Sequence, residues 1–305
     1  MSNPDREGGY PLRILFTADL HLLRATREGI LKRLRAWISL FKPDGVVIAG
    51  DIASAAQASD ALGEIRRCVP DLPIAICLGN HDFWLHEEAR NECDSLSAVV
   101  DRYWVPAAQV SDIRLLDRES FRIGTVTIVG GYGHYDLGFA LPGLAYRGVA
   151  VTEEDYIRGC PFPDSPLRWR DFQLMPGSLH PRAVALEQIR GVTARIRAAG
   201  DSPVIVVLHT PPFEELLGIP VTMHEGSPAS QYTFFRAYLG NRAMGDSLRN
   251  LDERFLAVVC GHTHRPAGPT KMHDTIGVNI GSDYGHPQAA LYSSETGTLE
   301  RVPDF

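Results

Sequence analysis

Six short runs of apolar, largely β-branched residues punctuate the chain: Ile14–Thr17, Val46–Ala49, Ile74–Leu78, Val126–Val129, Val204–Leu208 and Ala257–Cys260. Runs of this length and composition predict buried strands. Between the first three, apolar positions recur at three- and four-residue steps. Ile30, Leu31, Leu34, Trp37, Ile38 and Phe41 share one face, while Arg27, Lys32, Arg33 and Arg35 take the other, which predicts a helix with a solvated basic side. Strand–helix alternation predicts a parallel sheet covered by helices, because parallel strands need long crossovers. Farther on, Phe121–Ile123 and Val126–Val129 flank Gly124-Thr125 as a tight hairpin would, and Thr275–Asn279, Ala289–Ser293 and the residues on to Val302 read as strands with short turns. The expected order is parallel first and antiparallel later. Two stretches break the rhythm, residues 132–181 and 213–231, and are read as insertions into a single domain spanning residues 1–305.

Composition narrows the class. With 44% hydrophobic residues in 305, a core needs no staples. Cys68, Cys77, Cys93, Cys160 and Cys260 form no C-x-x-C pair, so neither a disulfide framework nor a zinc ribbon is expected. No segment approaches the roughly 20 apolar residues that span a bilayer, and the start lacks an apolar signal core, so a soluble, cytoplasmic protein without a membrane partner is expected. A net charge of −7 does not advertise a nucleic-acid surface.

The chemistry lies where the apolar runs end. They lead into Asp19-Leu20-His21, Gly50-Asp51, Gly79-Asn80-His81-Asp82, His209 and Gly261-His262-Thr263-His264. Ligand sites of open α/β sheets lie beyond the carboxyl ends of the strands, so these five clusters are expected to converge. Asp19, Asp51 and Asn80 offer oxygens, and His21, His209, His262 and His264 offer imidazoles. Such donors without thiolate suit Mn, Fe or Zn, and permit Ni or Co. Seven ligands are too many for one ion that keeps an open position, and two ions sharing a bridging carboxylate fit better. Asp82 is expected to cap the following segment or to support the loop. His134 also follows a strand and is a candidate for the substrate pocket, with loop packing as the alternative. His180, His224, His273 and His286 read as surface residues, with slightly more weight on His224. Arg168-Trp169-Arg170 offers cations and an aromatic face to a phosphorylated ligand, or a packed loop.

In this order, and each after a strand, these motifs resemble the set that defines the calcineurin-like metallophosphoesterase superfamily, from Ile14 to about Ser293. The resemblance implies a four-layer αββα sandwich with mixed sheets around two metal ions. It implies that Asp19, His21 and His264 bind the first ion, that Asn80, His209 and His262 bind the second, and that Asp51 bridges them. His81 is then no ligand but contacts the phosphate or protonates the leaving group. The implied activity is hydrolysis of a small phosphodiester or phosphomonoester by a metal-bound hydroxide. Two departures shape this expectation. Gly50-Asp51 continues as Ile52-Ala53-Ser54 rather than toward Asp-Arg-Gly, unlike the protein phosphatases, and Ser54 stands where an acid would orient His81. His262-Thr263-His264-Arg265-Pro266 is similar to hydrolases of UDP-diacylglucosamine, which carry Arg in place of His81. The pattern stands nearest the class III cyclic-nucleotide phosphodiesterases. A nuclease of the superfamily and a non-catalytic scaffold are the alternatives, the scaffold disfavoured because no ligand position is lost.

Overall fold

The computed structural model describes residues 11–177, 180–219, 231–251, 255–272 and 275–303. The strands, in chain order, are β1 (Arg13–Thr17), β2 (Gly45–Ala49), β3 (Ile74–Cys77), β4 (Arg114–Leu115), β5 (Phe121–Ile123), β6 (Val126–Gly131), β7 (Ala145–Tyr146), β8 (Val149–Ala150), β9 (Val204–Leu208), β10 (Phe255–Cys260), β11 (Ala267–Met272), β12 (Thr275–Asn279), β13 (Ala289–Ser293) and β14 (Thr298–Arg301). Among the described residues, two six-stranded sheets run in the orders β14-β13-β1-β2-β3-β4 and β11-β12-β10-β9-β6-β5.

Side-chain alternation along each strand builds the layers. Ile14 and Phe16 of β1, with Val47 and Ala49 of β2, face Ile205, Val207, Ala257 and Val259 of the other sheet. The intervening Leu15, Val46 and Ile48 face outward onto Leu31, Leu34 and Trp37 of the helix Arg27–Phe41 and onto Leu62 and Ile65 of the helix Ala58–Cys68. Across the sandwich, Val204, Val206, Leu208 and Val258 pack on Ile189 and Val192 of the helix Pro181–Ala198 and on Met244 and Leu248 of the helix Arg242–Arg249. Helix, sheet, sheet and helix therefore lie in four layers. Each fully buried aliphatic side chain contributes about 1.5–3 kcal/mol.

The hairpin at Gly124-Thr125 forms, with Ile123 opposite Val126. The parallel-then-antiparallel order does not hold. β12 joins the second sheet parallel to β10, whereas β13 crosses to the first sheet and runs antiparallel to β1. Both sheets thus have parallel centres, the second with two antiparallel edges and the first with one, at β13 and β14, because partner choice depends on which edge is free rather than on sequence order. The stretch 132–181 holds the small β7–β8 hairpin and short helices Glu153–Arg158 and Asp171–Leu174. Its Tyr135, Leu144 and Tyr156 share a cluster with Phe234, Ala237 and Tyr238, so segments far apart in the chain form one aromatic cap.

Candidate metal centre

The exits of β1, β2, β3, β9 and β10 meet at one end of the sandwich. The first two loops run zipped together, Asp19 donating its N–H to Gly50 O at 3.0 Å and His21 to Asp51 O at 2.8 Å. Asp19, His21, Asp51, His262 and His264 all have positive φ, between 38° and 73°, a conformation that costs a non-glycine residue free energy and that collects at functional sites. A Cβ on Gly79 would strike the Asp51 carboxylate, and one on Gly261 would strike that of Asp19. These two glycines leave room for carboxylates. Asp82 supports the loops rather than capping a helix: it is buried and accepts the N–H groups of Ile52 at 2.8 Å, Ala53 at 2.9 Å and Gly79 at 2.7 Å.

Asp19, His21, Asp51 and His264 bring one potential donor atom each within 4.8 Å of one another. His21 Nε2 lies 3.2 Å from His264 Nε2 and 3.5 Å from Asp51 Oδ2. On the other side of Asp51 the geometry is tighter. A carbonyl oxygen only accepts, so His209 Nδ1, 2.9 Å from Ala49 O, and His262 Nε2, 2.9 Å from Tyr238 O, carry their ring protons. The opposite nitrogens of the neutral rings are lone pairs, 3.2 Å apart. Asn80 Oδ1 lies 3.1 Å from one and 3.0 Å from the other, and Asp51 Oδ1 lies 3.3 Å from His209 Nε2. With both rings neutral, acceptors converge on acceptors with no donor among them. Bonds of about 2.1 Å to a common ion place neighbouring donor atoms about 3 Å apart, so the residues fit a cation on each side of Asp51.

The electrostatics agree. Burial, together with the other imidazoles, pushes His21 and His262 down to about 3, which keeps them neutral and able to ligate. Burial also opposes charge on Asp51, yet His209, His81 and His21 hold its carboxyl well below the usual range. His209 resists burial because Asp51 and Asp19 face it, and it rises to about 10. A cation held there would have to displace the second ring proton of His209.

His81 stands at the rim. Its Nε2 is 3.9 Å from Asp51 Oδ2, and its ring stacks on Trp84 with centroids 3.6 Å apart and planes 24° from parallel. Beyond it opens a cleft of about 580 Å³, walled by Trp84, Arg168, Trp169, Arg170, Phe235 and Tyr284 and floored by Asp51, Asn80, His262 and His264. Trp169 packs face to face on Tyr238, with centroids 4.9 Å apart, so it serves the cap as well as the cleft.

Asp19, His21, Asp51, Asn80, His81, His209, His262 and His264 are thus brought together. His134 is not. It is fully buried, away from the cleft lining, between Tyr132 and Tyr135, with neither ring nitrogen hydrogen-bonded among the described residues. His180 and His286 are exposed, and His224 and His273 lie outside the described residues. Sequence reading passed over Asp283, whose Oδ1 is 3.3 Å from His264 Nδ1, Tyr284, which stacks on His21 with centroids 4.2 Å apart, and Asp171, which accepts from Asn80 Nδ2. Trp84 alone had a local signal, three residues after His81 across one tight turn.

The family model for calcineurin-like phosphoesterase matches residues 12–266. Over 76 residues the chain is 36% identical to UDP-2,3-diacylglucosamine pyrophosphatase LpxG of Chlamydia muridarum (strain MoPn / Nigg), a match covering 24% of this chain and only 23% of that relative. Among solved structures, the phosphopantetheinyl hydrolase of Mycobacterium tuberculosis is similar, with a TM-score of 0.67 at 17% identity, covering 96% of this chain and 97% of the other. A dimetal phosphatase from Danio rerio is similar with a TM-score of 0.52 at 14% identity, covering 97% and 98%.

Proposed function

The chain belongs to the calcineurin-like phosphoesterase family, and we propose that it is one catalytic unit that hydrolyses a small phosphodiester or phosphomonoester at a centre of two metal ions. Asp19, His21 and His264 would hold the first ion, Asn80, His209 and His262 the second, and Asp51 both. The observation that carries this reading is the meeting of lone pairs from Asp51, Asn80, His209 and His262, which a cation reconciles. Oxygen and nitrogen donors without thiolate favour Mn, Fe or Zn. When bound, such ions would supply charge neutralisation for the phosphate and a more acidic water.

The side chains supply the rest. His81 is partly exposed toward the cleft and near the shared carboxylate, where it can protonate a departing oxygen or hold the phosphate. Trp84, Phe235 and Tyr284 offer apolar faces to a leaving group, and Arg170 at the same wall suits a further negative charge. A nucleic-acid substrate is disfavoured by the net charge of −7. Five buried, unpaired cysteines support a reducing compartment, hence the cytoplasm, and no helix among the described residues is long and apolar enough to cross a membrane.

The test is hydrolysis of bis(p-nitrophenyl) phosphate, p-nitrophenyl phosphate and a nucleoside diphosphate sugar by Mn-loaded protein. The last probe is added because the Chlamydia relative is named a pyrophosphatase. One ester class should turn over, and silence on all three with two ions bound would overturn the reading in favour of a scaffold. His81→Ala should keep both ions and lower turnover about 10²–10⁴-fold, most for poor leaving groups. Equal loss across leaving groups would assign His81 to phosphate positioning instead.

A further inference from the structure

The resemblance to the family would place an acid that orients His81 at Ser54, but the Ser54 hydroxyl lies against Gln57 Oε1 at 3.2 Å. A different carboxylate stands behind the centre. Asp171, on the short helix Asp171–Leu174 of the 132–181 stretch, is 1% exposed. Its Oδ1 accepts from Asn80 Nδ2 at 3.1 Å and from Trp84 Nε1 at 2.7 Å. Its Oδ2 accepts from Trp169 Nε1 at 2.8 Å and from Tyr135 OH at 3.3 Å. A carboxylate so deeply buried is costly unless its hydrogen bonds are met and positive charge lies near.

Both donors on Oδ1 belong to the chemistry. The amide of Asn80 has two orientations, and only the one with Oδ1 inward sets its lone pair beside those of His209 and His262, where a shared ion would be held. An acceptor behind Nδ2 selects that orientation, and Asp171 is that acceptor. The indole N–H of Trp84 ends on the same oxygen, which sets the plane on which the His81 ring lies.

We propose that Asp171 is a positioning residue for the hydrolytic centre, one carboxylate oxygen turning Asn80 toward the second ion and setting the plane of Trp84 under His81. The inference rests on the two-ion reading above. It makes the 132–181 stretch a structural part of the active centre as well as a wall of the cleft.

The experiment compares Mn binding by titration calorimetry, and the spin-coupled Mn pair by electron paramagnetic resonance, in the full chain, in Asp171→Asn, and in the double variant Asn80→Asp/Asp171→Asn. The full chain should bind two ions, and if it does not, the two-ion reading itself falls. Asp171→Asn should weaken one site by about 10–100-fold, leave the other unchanged, and lose the coupled signal at limiting Mn. The double variant exchanges donor and acceptor between the two positions, so it should recover most of that affinity. Full-chain affinity in Asp171→Asn, or a double variant no better than the single one, would overturn the inference. Trp84→Phe keeps the ring face and removes the N–H. It should bind both ions as the full chain does, with kcat reduced about 10-fold, KM nearly unchanged and the largest loss for poor leaving groups. An unchanged kcat would remove His81 from the proposal.

Discussion

The two sides of Asp51 present the same donor chemistry on different supports. Beyond Asn80, the ring protons of His209 and His262 are held by the backbone carbonyls of Ala49 and Tyr238, and the lone pairs stand 3.0–3.3 Å apart. On the side of Asp19 and His21, the corresponding pairs stand 3.2–3.7 Å apart. His264 leans there on Asp283, whose side chain is 64% exposed. One half is preset throughout by backbone and burial; in the other Asp19 and His21 are buried and Asp19 accepts the His262 N–H, but His264 rests on a side chain that water can reach. The cost of ordering is already met in the first case and is met only on binding in the second. We therefore expect the Asn80 side to bind its ion first and hold it longer.

Asp51→Asn is the largest perturbation of this comparison, since it weakens the donor shared by both halves. Turnover should fall about 10³-fold or more, with both ions lost by metal analysis after dialysis, whereas His264→Asn should cost about tenfold less. Two ions retained with full turnover in Asp51→Asn would end its role as the shared donor.

A smaller change separates the halves. Asp283→Ala should weaken only the ion beside His264, by about 10–100-fold in chelator competition, and leave the other where it was. Equal weakening of both would mean that the two supports are not independent. Removing metal by stepwise chelation gives the same contrast without mutation, and loss of the Asn80-side ion first would reverse the expected order.

The smallest effect probes the burial behind the preset half, where His134 packs against Tyr132 and Tyr132 in turn lies 6.2 Å from His209 between ring centroids. Burial lowers His134 from 6.5 to about 3. The folded protein thus keeps the ring neutral while the unfolded chain takes up the proton first. Its contribution to stability is complete above about pH 6.5 and is lost as pH falls toward 3, at about 1.4 kcal/mol per unit. In urea melts at pH 7 and pH 5, the full chain should lose about 2 kcal/mol more than His134→Phe over that interval. Parallel losses would show that His134 is reached by water.

His134 and His209 show where sequence reading stops. Both follow a strand, and nothing in the spacing separates them, yet one ring is sealed between tyrosines and the other faces Asp51. Asp171 shows the same limit from the other side: it lies 91 residues from Asn80, inside an irregular stretch with no period to announce it.

What the sequence by itself determined was local: the apolar runs and their alternation, the helix face of Ile30, Leu34 and Trp37, the Gly124-Thr125 turn, and the polar residues closing each run. Periodicity and strand termination are set by neighbours a few positions apart, so they can be read in one dimension. Only the tertiary structure decided that β12 and β13 part to opposite sheets, that the cap reaches Asn80 through Asp171, and that His262 turns Nδ1 inward by giving Nε2–H to Tyr238. Those outcomes depend on groups that meet only after the chain has packed, when each buried donor must find whichever acceptor the fold has brought beside it.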